Sequence, residues 1–325
     1  MAQSDMIVFN EYLMPMLAEI FPQKIAMFNS ASNNTMQLQS ANFDGNYLQE
    51  SFYQALHTAQ RRVDRNAAIG AQAATDLTQA QHNTVKVAGG FGPILFEPSQ
   101  MTWLRKPTQE GLTVAAGQFA EALLADQLNT LIASLVAAIG NVAAVTTDVS
   151  GVSAISQSTI NTGIAKFGDA SQDIRSLVMT GLQYHNLIGE AITNTNSLFT
   201  IGGVAVMDGT AFGQGRPIVI TDAPALTFFS VQQNQNILGL TVGAGTVKDG
   251  GDIVTNIETT NGKTRIETTM QTDYSFGVGL KGYSWDIANG GSSPSDAALA
   301  TGTNWDKVVA SDKHTAGVII IGRDV

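Results

Sequence analysis

The sequence has 325 residues, enough for two domains, and only 14% of them are charged although 44% are hydrophobic. A charged fraction this far below the usual ~25% favours surfaces that are covered by protein in a large assembly. The net charge of −10 argues against a protein that mainly grips nucleic-acid phosphates, and the absence of cysteine excludes disulfides, thiolate metal sites and cysteine nucleophiles.

The first third of the chain predicts extended pieces and not a compact core. Residues 1–30 form an apolar run broken by Pro15 and Pro22, which is typical of short helical turns lying on a surface. Residues 31–50 are polar and turn-rich. Residues 51–106 combine a small, polar stretch with the extended segment TVKVAGGFGPILFEPS, so we expect a long hairpin around a loop tip.

Charge is unevenly distributed along the chain. Residues 54–106 contain six Lys or Arg and three Asp or Glu, which gives +3 and leaves −13 for the remainder. A basic arm on an acidic body can dock on the body of the next copy, and a solvated loop with scattered charges fits the same counts. On the docking interpretation, the candidate subunit-interface residues are Arg61, Arg62, Arg65 and Lys86.

The strongest periodic signal predicts one long helix over residues 111–140. Apolar residues recur at steps of three and four, alanines fill the gaps, and Gly140 is a plausible stop. Such a helix is about 45 Å long. Residues 127–147 carry no charge, but interrupting polar residues favour a packed amphipathic helix over a membrane span. The residues expected to pack are Phe119, Leu123, Leu128, Leu131 and Leu135.

After the helix, the pattern changes to alternating strands and helices. Residues 158–167 and 182–192 predict short helices, and 174–180, 201–206 and 217–221 predict strands. This α/β unit ends near Gly243. Residues 243–251 predict a loop, 253–257 and 264–270 paired strands, and 276–285 a further extended run. The buried pattern of 315–322 predicts a final strand beside an earlier element.

Catalytic constellations are not apparent. His57, His82, His185 and His314 lie in four separate segments without metal-ligand spacing, so we expect no metal site. The glycine-rich stretches lack the strand–helix context of nucleotide loops, and no nucleophile elbow is present. The sequence therefore predicts no enzyme and no cofactor.

The order of these parts resembles the major capsid protein of tailed bacteriophages, whose α+β fold is shared with encapsulin shells and herpesvirus capsid floors. The segments that carry the resemblance are NTVKVAGGFGPILFEPS with the helix after it, RSLVMTGLQYHNLIGEAI, GGVAVMDG with RPIVITDAP, and NWDKVVASDKHTAGVIIIG. It implies an N-terminal arm (1–50), an extended E-loop hairpin (51–106), a P-domain spine helix (107–148), a central α/β A-domain (149–243) and a β-rich return to the P-domain with the C-terminal strand (244–325).

The resemblance also implies a structural role. We expect many copies, as hexamers and pentamers, in an icosahedral shell that encloses double-stranded DNA in the virion and is assembled in the host cytoplasm. No long charged segment precedes the arm, which implies a separate scaffolding protein or a removed leader. A portal and a decoration protein are compatible partners; neither a membrane nor a crosslink at Lys86 is expected. The alternatives are an encapsulin-type nanocompartment and, disfavoured by the long helix, a tail-tube subunit.

Overall fold

A computed structural model describes residues 22–40, 45–53, 60–71, 74, 79–96, 109–193, 200–201, 204–205, 216–261, 264 and 266–324. Most of the surface-lying turns predicted for 1–30 lie outside these residues, as do His57 and much of the predicted strand 201–206. Within them, residues 22–31 are helical (α1).

The remaining helices and strands alternate along the chain. The helices are α2 (Gln109–Gly140), α3 (Gln157–Ala165), α4 (Gly181–Thr193), α5 (Ile287–Gly290) and α6 (Asp296–Leu299). The strands are β1 (Met36–Ser40), β2 (Tyr47–Tyr53), β3 (Gln79–Phe96), β4 (Thr146–Asp148), β5 (Ile174–Met179), β6 (Thr200–Ile201), β7 (Val204–Ala205), β8 (Ile218–Ile220), β9 (Thr227–Phe229), β10 (Gln233–Thr241), β11 (Gly245–Asp249), β12 (Val254–Thr260), β13 (Glu267–Leu280), β14 (Tyr283–Trp285), β15 (Trp305–Lys307) and β16 (Gly317–Arg323).

An eight-stranded sheet carries the predicted hairpin. Its main path runs β1-β11-β13-β14-β15. Strand β3 is antiparallel to β2 over residues 79–85 and to β13 over 85–96, and β12 covers the other side of β13. With 18 residues, β3 is about 60 Å long, and β3, β13 and β12 together form a long three-stranded arm.

A six-stranded sheet forms the α/β unit, in the order β4-β16-β10-β5-β8 with β9 beside β10. The final strand β16 lies between β4, to which it is parallel, and β10, to which it is antiparallel. Strands β16 and β10 approach closely at Gly317. A Cβ on this residue would lie 2.0 Å from the carbonyl oxygen of Gly239. The last strand of the described chain is therefore an interior strand of this sheet.

The long helix α2 lies against both sheets and begins two residues before its predicted start. Leu123, Leu131 and Leu135 are buried, and Phe119 and Leu128 are partly buried against the core. The helix contacts β11, β13, β15 and β16 and the turns at 224–226 and 302–304. By length and composition, Gly117–Gly140 could cross a membrane, but half of its most apolar window is buried within the chain, as is usual for a core helix.

The burial of α2 differs from the one-sided apolar stripe that the sequence predicts. Between residues 117 and 125 one side of the helix is exposed, whereas from 126 to 139 no residue is exposed. Polar residues in this part are covered as well. Ser134, for example, is fully buried and donates its hydroxyl to the carbonyl oxygen of Thr130 at 2.9 Å. The helix can be enclosed on all sides because its small, uncharged side chains need little solvation.

Two segments with strong turn signals contain strands. Residues 31–50, which are polar and turn-rich, contain β1 and the start of β2, and residues 243–251, which were predicted as a loop, contain β11, which pairs in parallel with β1. The turn signals come from Asn, Ser and Asp in the first segment and from glycine in the second. The pairing of β1 with β11 nevertheless buries Met36, Leu38 and Val247. Tertiary pairing therefore overrides the local turn signals.

Candidate assembly surfaces

An aromatic cluster joins the arm to the long helix. Phe91 of β3 lies 5.1 Å from Phe119 of α2 and 5.4 Å from Tyr274 of β13, measured between ring centroids. Edge-on and tilted contacts of this kind add about 0.5–1.5 kcal/mol to the burial of the rings. Gly89 makes room for the cluster, since a Cβ there would lie 2.7 Å from the Tyr274 ring.

A hydrogen bond extends this junction to the only charged residue of α2 between Glu121 and the end of the helix. The Tyr274 hydroxyl donates to Asp126 Oδ2 at 2.6 Å. Burial, followed by the hydrogen bond and the negative charge of Asp126, raises the pKa of Tyr274 well above its ordinary value. The phenol therefore remains a proton donor throughout the physiological range.

Beside this hydrogen bond lies a cleft of about 280 Å³, which we call the acidic cleft. Two carboxylates line it, from Asp126 of α2 and Asp296 of α6. Asn129 and Thr130 add an amide and a hydroxyl group. Its remaining walls are apolar and come from the residues Ala133, Pro224, Ala225 and Leu299.

The three predicted arginines lie together on the connection between β2 and β3. Every residue from 60 to 71 is exposed, and we call this segment the basic tip. Among the described residues, none of Arg61, Arg62 and Arg65 forms an ion pair. Val63 and Ile69 are exposed on the same segment. The basic tip thus presents unpaired positive charge and apolar surface to the outside of the subunit.

Lys86 lies elsewhere, in the middle of β3. Its ammonium group is 3.0 Å from Asp252 Oδ2, an ion pair within the chain. The hydrogen bond from Lys86 lowers the pKa of Asp252. The structure therefore separates Lys86 from the three arginines with which the sequence analysis grouped it.

Two histidines from distant segments, His82 and His314, line one cleft of about 490 Å³ near Lys248 and Lys281, although their spacing in the sequence does not indicate a pair. A His82 ring nitrogen lies 2.9 Å from the carbonyl oxygen of Leu280, and Lys248 pairs with Glu50. Within the described ranges, no group of three or more His, Asp or Glu side chains could hold a metal ion. His185 is exposed beside Tyr184.

The free edge of β1 is closed by a side chain and not by another strand. Asn29 of α1 accepts from the Leu38 amide at 3.0 Å and donates to the Leu38 carbonyl at 2.8 Å, imitating a neighbouring strand. Ser32 donates its hydroxyl to the Met36 carbonyl at 3.3 Å. An edge covered in this way cannot pair with another chain at these residues.

Sequence comparison assigns this architecture to a family. Residues 5–319 match the family described as Gp13-like, major capsid protein 13-like. The chain belongs to this family. No curated protein matches it by sequence. Membership of this family identifies the chain as a capsid protein and excludes the two alternatives, a nanocompartment shell protein and a tail-tube subunit.

Solved phage capsids share the fold. The chain is similar to a protein of the cyanophage Pam1 capsid asymmetric unit (TM-score 0.53, 10% identity, 89% of this chain and 88% of that chain). It is also similar to a protein of Microbacterium phage Oxtober96 (TM-score 0.52, 13% identity, 88% of this chain and 88% of that chain). A third similar protein is in the head structure of Helicobacter pylori bacteriophage KHP40 (TM-score 0.52, 10% identity, 90% of this chain and 89% of that chain). The protein is a structural subunit of a tailed-phage capsid, in which many copies form the shell.

Sequence reasoning missed the acidic cleft and the residues around it. Asp126, Tyr274 and Asp296 come from three distant segments, so no local motif connects them. One signal was present: Asp126 is the single charged residue between 122 and 147. A lone carboxylate in an apolar helix indicates a specific partner, which here is Tyr274.

Proposed function

We propose that this capsid subunit assembles as hexamers and pentamers into a closed icosahedral shell around double-stranded DNA. In this proposal residues 1–50 are the N-terminal arm, 51–106 the E-loop, 107–148 the spine helix of the P-domain, 149–243 the A-domain and 244–325 the return to the P-domain. The β2–β3 hairpin and the long helix α2 support these assignments. The interval 244–325 contributes to both sheets, since β16 joins the six-stranded one.

The observation that carries the proposal is the basic tip. Its three arginines are exposed and unpaired in the described part of the chain, and they belong to a segment of charge +3 on a remainder of −13. The positive charge of this segment and the negative charge of the remainder steer neighbouring copies together and set their relative position. Lys86 contributes less to this docking because Asp252 already neutralises it.

The proposal includes further partners. A separate scaffolding protein guides assembly in the host cytoplasm, a portal occupies one vertex, and a decoration protein is compatible with the outer surface. The subunit is not an enzyme, needs no cofactor, enters no membrane and forms no covalent crosslink through Lys86. Packaged DNA is enclosed without sequence-specific binding, in keeping with the low pI of about 4.7.

The test reverses or preserves the charge of the basic tip. We expect Arg61→Glu, Arg62→Glu and Arg65→Glu together to leave the subunit folded and to prevent shell formation, whereas the matched triple lysine variant still assembles. Electron microscopy and sedimentation measure particles, circular dichroism measures folding, and nuclease-protected DNA in virions identifies the contents. Normal shells from the triple glutamate variant would overturn the docking proposal.

A further inference from the structure

The acidic cleft has the composition of a receptor for a cationic side chain. Neither Asp126 nor Asp296 forms an ion pair with any described Lys or Arg. Among the described residues, the Tyr274 hydroxyl is the one donor to the Asp126 carboxylate, and Asp296 lies in the first turn of α6. Both carboxylates line the same cleft, and after burial both contribute to the raised pKa of Tyr274. Two uncompensated carboxylates at one cleft attract positive charge.

A second feature of the cleft is independent of charge. Thr130 is only 8% exposed, and its hydroxyl has no hydrogen-bond partner among the residues that the structure describes. It lines the cleft with Asn129, whose amide oxygen is a further acceptor. A hydroxyl that lines the cleft and has no partner among the described residues is available to bond to an incoming polar group.

The shape of the cleft favours a long side chain over a metal ion. Ala133, Pro224, Ala225 and Leu299 form apolar walls that can cover the methylene groups of an arginine. The carboxylates of Asp126 and Asp296, which line the same cleft, are acceptors of the kind that a guanidinium group prefers. The described residues bring no third carboxylate or histidine into the cleft, as a metal site would require.

We propose that the acidic cleft of one copy receives an arginine from the basic tip of a neighbouring copy. This inference rests on the proposed function, because it supplies the receiving surface for the docking described there. The tip offers three unpaired arginines, and its exposed Val63 and Ile69 can cover the apolar rim. The complementary charges occur on one chain, so each copy is both donor and acceptor. Such head-to-tail contacts form a ring when the rotation between neighbouring copies closes.

Charge exchange tests the contact. Asp296→Arg is expected to reduce the yield of shells at least about tenfold. Asp296→Asn removes the charge without repulsion, so we expect a smaller loss. Combining Asp296→Arg with the triple glutamate variant of the tip should recover shells that neither variant forms alone. Asp126 is left unchanged in these variants because it also accepts the Tyr274 hydroxyl.

The outcomes separate the two proposals. If Asp296→Arg assembles normally while the triple glutamate variant does not, the tip docks elsewhere and the cleft proposal is overturned. If the triple glutamate variant also assembles normally, both proposals are overturned. If Asp296→Arg abolishes shells and the combination does not recover them, the pairing of tip and cleft is rejected.

A crosslinking experiment provides a second readout that does not depend on yield. Because the chain has no cysteine, Asn129→Cys combined with a cysteine at 61, 62 or 65 introduces one unique pair. A short bismaleimide should link assembled copies into dimers and longer ladders in at least one of the three double variants. Each single-cysteine variant is the control. Shells that give no ladder with any pair would contradict the contact.

Discussion

The hydroxyl of Tyr274 and the carboxylate of Asp126 lie 2.6 Å apart, although 148 residues separate them in the sequence. This bond connects the arm of β3, β13 and β12 to the helix α2 at the wall of the acidic cleft. It therefore links the position of the arm to the position of a carboxylate that we assign to subunit contact. Stability and assembly should both respond when this bond is removed.

Tyr274→Phe should destabilise the unassembled subunit by about 1.5–3 kcal/mol, because the partly buried carboxylate of Asp126 loses a charge-assisted hydrogen bond. The aromatic contacts with Phe91 remain in this variant. Urea unfolding followed by circular dichroism measures the change. Tyr184→Phe is the matched control, since no described residue bonds to that hydroxyl, and it should be nearly neutral. Equal effects of the two substitutions would show that the bond to Asp126 contributes nothing.

Leu131→Ala should cost about 2–5 kcal/mol in the free energy of unfolding, because it leaves a cavity where α2 meets β11. Leu131 is fully buried, and a Cβ on Gly245 would lie 2.7 Å from it. Leu128→Ala, at a partly buried position of the same helix, should cost less. Denaturant unfolding of both variants checks the order, and a larger loss at Leu128 would contradict this account of the helix.

Asn29→Ala should open the edge of β1. Leu38 loses the partners of both its amide and its carbonyl, so we expect a destabilisation of about 1–3 kcal/mol. Light scattering should also show association of unassembled subunits through the exposed edge. Asn29→Asp keeps the acceptor for the Leu38 amide and should lie between the wild type and Asn29→Ala. An alanine variant as stable and monodisperse as the wild type would show that the cap is unnecessary.

The pH dependence of stability should contain a contribution from Asp249. Burial raises the pKa of this carboxyl above 3.8, so in the window between that value and the raised pKa the folded chain binds its proton more tightly than the unfolded chain. Its contribution to the unfolding free energy is thus greatest at low pH and falls as pH rises through the window. Asp249→Asn abolishes that fall. The stability of the asparagine variant relative to the wild type should therefore increase as the pH rises through the window. Parallel curves for the two proteins would refute this assignment.

The sequence predicted the elements whose signals are local. The long helix was placed at 111–140 and found at Gln109–Gly140, and the hairpin, the strand at 174–180 and the helix at 182–192 were also found. These segments combine a clear hydrophobic period with recognisable ends. The family resemblance, which rested on the order of the segments, is confirmed by the match over residues 5–319.

Elements that depend on distant partners could not be predicted. Strand β10 begins with Gln233, Asn234, Gln235 and Asn236, a polar run that gives no strand signal, and no strand was assigned there. Two of its side-chain amides bond to distant groups: Gln235 accepts from Thr180 and donates to Asp324, and Asn236 donates to the carbonyl of Ala225. The acidic cleft escaped prediction for the same reason, because its carboxylates meet only in the folded chain.

The position of β16 has a consequence for how the protein is made. Residues 317–323 form an interior strand of the six-stranded sheet, between β4 and β10. This sheet therefore cannot be completed until nearly the whole described chain has left the ribosome. A prematurely terminated chain would leave one edge of β10 unpaired, with Ile237, Leu238 and Leu240 uncovered. Folding of this sheet therefore requires synthesis through residue 323, and products truncated before it lack the folded body needed to enter a growing lattice.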